Sequence, residues 1–144
     1  MDRLMAISPV DGRYGERVTE LAPFYSEFGL MRYRVLVETE YFIALSQAGL
    51  PQFEGFPAGK DHELRAIWNS FTPADAEHIK QKEAVTNHDV KAVEYFVKDK
   101  VTTAGLGKWA EFVHFGLTSQ DINNTAQPMA IRDSVREVLK PMLI

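Results

Sequence analysis

Apolar residues recur at helical spacing along most of this chain, and no stretch alternates with the period of a strand. The first strong pattern runs from about Pro23 to Ala48, where Leu30, Tyr33, Val37, Tyr41, Leu45 and Ala48 fall three or four residues apart and Phe28, Met31, Val35 and Phe42 widen the stripe. Gly49 and Pro51 supply its stop. A Pro- and Gly-rich connector over residues 51–59 leads to Leu64, Ile67, Trp68 and Phe71, the face of a short amphipathic helix. Thr72-Pro73-Ala74-Asp75 then restarts the chain with a cap, a proline at the first helical position and an acid at the third, and the helix should run to about Ala84.

After an interruption at residues 85–89, with Asn87 as the expected cap, Val90, Val93, Val97 and Val101 define another buried face, ended by Gly105 and Gly107. Trp109, Phe112 and Val113 form one more apolar turn. Ile122, Met129 and Leu139 mark a final long helix that contains Pro128, where a kink or a break in the bonding is expected. The predicted class is all-α.

Three polar loops interrupt these helices at residues 11–14, 87–89 and 118–124. In the last, Thr118 and Asp121 have capping-box spacing, so a helix should start there with its amides and the hydroxyls of Thr118 and Ser119 offering donors to a carboxylate or phosphate. His114 and Gly116 lie just before it, and side-chain hydrogen-bonders continue to Asn124. In the first, Asp11-Gly12 permits a tight bend that could hold out Arg13 and Tyr14, although the same residues serve equally as a surface turn with a solvated arginine. In the second, His88 and Asp89 fall beside a helix start, but neighbours in sequence do not face each other and cannot be read as a dyad. His62 and His78 stand on polar helices as surface residues, and no His spacing suits a metal.

Composition narrows the classes. The 144 residues, enough for one core, include no cysteine, which removes disulfide scaffolding, thiolate chemistry and cysteine-rich zinc sites. A net charge of −4 with interspersed acids and bases offers no footprint for nucleic acid or anionic lipid. With no signal-like start and no apolar run of about 20 residues, the expected location is the cytoplasm and no membrane partner is expected. The pattern stops on Pro141-Met142-Leu143-Ile144 in mid-helix, as expected for a fragment of a longer chain.

Taken together, Ser8-Pro9-Val10-Asp11-Gly12-Arg13-Tyr14, Thr86-Asn87-His88-Asp89-Val90-Lys91-Ala92-Val93-Glu94-Tyr95-Phe96, and His114-Phe115 with Thr118-Ser119 and Asp121-Ile122-Asn123-Asn124 resemble the adenylosuccinate lyases, bacterial form, of the fumarase and aspartase superfamily. The resemblance implies an N-terminal helical domain over residues 1–115 and the start of a central long-helix bundle over 116–144. It implies a C–N lyase of purine synthesis, acting by β-elimination of fumarate from adenylosuccinate and from the succinylated aminoimidazole carboxamide ribotide, with no cofactor and no metal. Arg13 and Tyr14 would hold the nucleotide phosphate, Asn87, His88 and Asp89 would line the nucleotide site, and Thr118 and Ser119 would bind the succinyl part. The family's acid histidine and base serine fall beyond Ile144, so no catalytic residue is expected here, and sites are completed in a homotetramer. The rival from another class is a helical interaction or regulatory module, with the three loops as capped turns and no small ligand.

Overall fold

The computed structural model describes residues 3–143. Helix α2 (Glu27–Gln47) is the element against which the rest is arranged. It packs on α6 (Ser119–Ser134) along one side and on α3 (Asp61–Asn69) and α5 (Asp89–Val101) along the others, while α4 (Pro73–Thr86) lies against α5. A short α1 (Ala22–Tyr25) precedes α2, and α7 (Lys140–Met142) ends the described chain. No strand occurs among the described residues, in agreement with the all-α expectation.

Local chemistry explains most boundaries. The helix expected from Pro23 is divided at Ser26, whose extended backbone ends α1 and whose Oγ accepts the Gly29 amide at 3.1 Å to cap α2. Thr72 and Asp75 close a full capping box: Asp75 N–H donates to Thr72 Oγ1 at 3.3 Å and Thr72 N–H donates to Asp75 Oδ2 at 3.0 Å. Helix α5 ends at Val101 and gives way to a wide turn, Thr102–Leu106, in which Gly105 takes φ 80°. Pro128 does not end α6, which runs six residues further to Ser134, but with no N–H it cannot donate to the Asn124 carbonyl; a wide turn, Val135–Leu139, follows the helix.

Two apolar clusters flank α2. The larger gathers Met31, Val35 and Phe42 with Leu64, Ile79, Val93, Phe96, Val97 and Trp109. All four valines expected to face inward from α5 are buried. Each large side chain removed from water contributes about 2 kcal/mol, so this cluster dominates the stability of the described region. The smaller cluster places Phe24 and Tyr33 against Ala126 and Ala130. Two alanines one turn apart let α6 approach α2 closely. Cross-links from Tyr41 to Phe115, Arg34 to Asn123 and Tyr33 to Asp133 show that the two helices run antiparallel.

Candidate functional site

The starts of α5 and α6 meet. Asn87 is the C-cap of α4 in left-handed conformation, φ 50° and ψ 34°, and it is His88 that caps α5, so the cap falls one residue later than expected. His88 Nδ1 accepts the Lys91 amide at 3.1 Å, and His88 Nε2 lies 3.3 Å from Ser119 Oγ on α6. The cap fixes the tautomer of the neutral ring: with Nδ1 an acceptor, the proton sits on Nε2 and points to Ser119. Ser119 Oγ then accepts from His88, and its own hydroxyl proton is left to donate elsewhere. Two loops 31 residues apart in sequence thus form one polar patch, with His88 exposed and Ser119 half-buried.

Thr118 is engaged differently. Its N–H and its Oγ1–H both donate to Asp121 Oδ2, at 2.8 and 2.9 Å. Those two bonds hold the Asp121 carboxyl below its ordinary value. The Thr118 hydroxyl proton is therefore committed to the helix start, whereas that of Ser119 is not. Asp89 does not face His88 as a dyad: its Oδ1 stands 3.8 Å from a ring nitrogen already occupied as an acceptor. Partial burial alone would raise the Asp89 carboxyl, but the Val90 amide at 2.8 Å and the Arg34 guanidinium at 2.7 Å outweigh it and hold it below the usual carboxylate range.

Behind the patch runs a polar stripe on α2 that the periodicity of apolar residues does not reveal. Arg34, Glu38 and Tyr41 stand at i, i+4 and i+7, and each grips the segment that carries Thr118 and Ser119 or the loop before it. Arg34 Nε donates to Asn123 Oδ1 at 2.9 Å while its terminal nitrogen meets Asp89. Glu38, with no exposed surface, lies 2.5 Å from His114 Nδ1, and Tyr41 Oη donates to the Phe115 carbonyl at 2.9 Å. Burial pushes the Glu38 carboxyl up against the opposing pull of His114. His114 itself adopts φ 64°, a conformation that a side chain other than glycine holds only when its surroundings require it. The available signal was a pair of charges four residues apart inside an apolar run.

Arg13 and Tyr14 lie elsewhere. Their turn is closed by Tyr14 N–H donating to the Pro9 carbonyl at 2.8 Å, and the Arg13 guanidinium stacks 5.2 Å from the Tyr14 ring centre. Both are exposed, and nothing among the described contacts joins them to His88 or Ser119. The structure thus brings together Asn87, His88, Asp89, Thr118 and Ser119, and leaves the first loop apart. Among the described residues, no three His, Asp or Glu side chains are grouped to hold a metal ion, and no helix is long and apolar enough to cross a membrane.

The chain is 50% identical over 147 aligned residues to adenylosuccinate lyase of Dictyostelium discoideum, an alignment covering 99% of the chain and 32% of that protein. It is 43% identical to the adenylosuccinate lyases of Vibrio cholerae and Escherichia coli, each over 98% of the chain and 31% of the relative. The chain thus spans about a third of the length of the curated relatives it matches. Residues 12–144 match the family model described as lyase, and the chain belongs to that lyase family.

Proposed function

We propose that this chain supplies part of the substrate site of an adenylosuccinate lyase, a C–N lyase that releases fumarate from adenylosuccinate and from the succinylated aminoimidazole carboxamide ribotide. The observation that carries this reading is the His88–Ser119 contact, which leaves a serine hydroxyl proton free at a helix start. Identity to adenylosuccinate lyases along nearly the whole chain supports it. In a β-elimination a base removes the proton beside a carboxylate, that carboxylate stabilises the growing negative charge, and an acid protonates the departing nitrogen. Ser119 and the first amides of α6 suit the carboxylate, because their donors meet a group that becomes more negative as the reaction proceeds. His88 orients Ser119 and lines the nucleotide side with Asn87 and Asp89. Arg13 and Tyr14, on a separate surface, hold the nucleotide phosphate of a site assembled from more than one subunit. The proton donor and acceptor come from outside this chain, and the working form is a cytoplasmic homotetramer.

The test is a pair of substitutions in the full-length protein, read by fumarate release and thermal unfolding. Ser119→Ala removes a donor aimed at developing charge, a loss typically worth ~10²-fold or more in turnover, and should leave the melting temperature almost unchanged. Thr118→Ala removes the anchor of Asp121 and should cost ~1 kcal/mol of stability, as caps do. Near-normal turnover in Ser119→Ala refutes the carboxylate role and leaves the loop a helix start only.

A further inference from the structure

The position of Arg34 suggests more than a buried ion pair. Its side chain is 7% exposed and reaches in two directions: one nitrogen lies 2.7 Å from Asp89 Oδ2 and another donates to Asn123 Oδ1 at 2.9 Å. Asp89 is the first residue of α5 and accepts the amide of Val90, so whatever holds its carboxylate holds the start of that helix. Asn123 lies in the first turns of α6, one turn beyond Ser119. The planar guanidinium therefore spans the two helix starts whose side chains, His88 and Ser119, meet at 3.3 Å. That last contact is at the long end of a hydrogen bond, and a small widening of the gap between the two helix starts would break it. A lysine, with one compact ammonium group, can keep one of the two contacts in this geometry but not both.

We propose that Arg34 is a positioning residue for the elimination: it sets the separation of the α5 and α6 starts so that Ser119, oriented by His88, meets the substrate carboxylate. The inference rests on the role proposed above for Ser119 and adds to it a residue that touches no substrate. Displacing a reacting group by about 1 Å can cost about 100-fold in rate. Arg34→Lys in the full-length protein should accordingly lower kcat by roughly 10- to 100-fold with a smaller change in KM, at a temperature well below unfolding.

A double-mutant cycle separates positioning from mere support. If Arg34 acts through Ser119, Arg34→Lys should cost little further turnover once Ser119→Ala is present, because the interaction it aligns is already gone. Asn123→Ala, which severs only the α6 arm, should show the same non-additivity and serves if the lysine variant fails to fold. Multiplying effects on kcat in both cycles overturn the positioning role while leaving Ser119 as the carboxylate donor. A Ser119→Ala protein with full activity overturns the proposed site and this inference together.

Discussion

At the scale of single residues, Glu38 is the least ordinary group in the chain. A carboxylate with no exposed surface has one oxygen on His114 and the other, Oε2, without a partner. Burial disfavours its charged form and raises its affinity for a proton above that of the unfolded chain, whose carboxyl titrates near 4.5. Between that value and the raised one, the native state binds more protons than the unfolded state, so stability falls as pH rises. This contribution is fully present below the ordinary carboxylate value and is lost as pH climbs through the raised one. Relative to Glu38→Gln, which cannot titrate, the wild-type protein should lose stability as pH rises from the ordinary carboxylate value of 4.5. Chemical denaturation of both proteins across that range measures the difference. A wild-type advantage that grows with pH would mean instead that an ion pair with His114 outweighs burial. Of the groups that face it, Glu94 and Lys91 are common to both proteins, whereas His114 loses its carboxylate partner in Glu38→Gln and does not cancel.

Residue chemistry was legible where it was local and hidden where it was tertiary. Thr72 with Asp75, and Thr118 with Asp121, announce helix starts because both partners lie within one turn. Asn87 looked like the cap of α5, yet asparagine tolerates the left-handed conformation that ends α4, and His88, with φ −153°, was left to cap the next helix. The His88–Ser119 contact crosses 31 residues, and the Arg34–Asn123 contact crosses 89. No spacing rule within one element reaches that far.

Among the elements, α2 shows why a stripe of apolar residues can mislead about depth. Leu30, Val37 and Leu45 are only half-buried, whereas Met31, Val35 and Phe42, together with Arg34 and Glu38, are deeper. A helix packed on several sides buries most of its circumference, so periodicity locates the helix but not its most enclosed face. Its entry is set by Gly29, where a Cβ would stand 2.6 Å from the Pro23 carbonyl oxygen and 2.8 Å from its carbon. Alanine is the better helix former by ~1 kcal/mol, but overpacking against fixed backbone costs about 1–3 kcal/mol. Gly29→Ala should therefore be net destabilising and should loosen α1 from α2. Gly107→Ala is the control: its Cβ would meet the Thr102 methyl at 3.3 Å, a side chain that can give way. Thermal unfolding should show a clear loss for the first and little change for the second. Equal melting temperatures would mean that α1 shifts freely and does not fix the start of α2.

The whole molecule carries a second surface that its own core leaves uncovered. Ile131, Val135 and Leu139 recur every fourth residue along α6 and the wide turn that follows, exposed at 52%, 43% and 44%. Isolated exposed apolar side chains need no explanation, but a stripe of them along one helical path marks a packing face. If the full-length protein is the homotetramer proposed above, this stripe is the face expected to pack on another subunit. Replacing Ile131 and Leu139 with aspartate places two charges in that interface, where removing them from water unpaired is strongly unfavourable. Sedimentation should then show smaller species, and fumarate release should fall with the loss of assembly, while the circular dichroism of the helices persists. If the doubly substituted protein keeps its mass and activity, the stripe lies outside the subunit contact. If it loses helical signal as well, the stripe packs within its own chain, and assembly through this face is wrong.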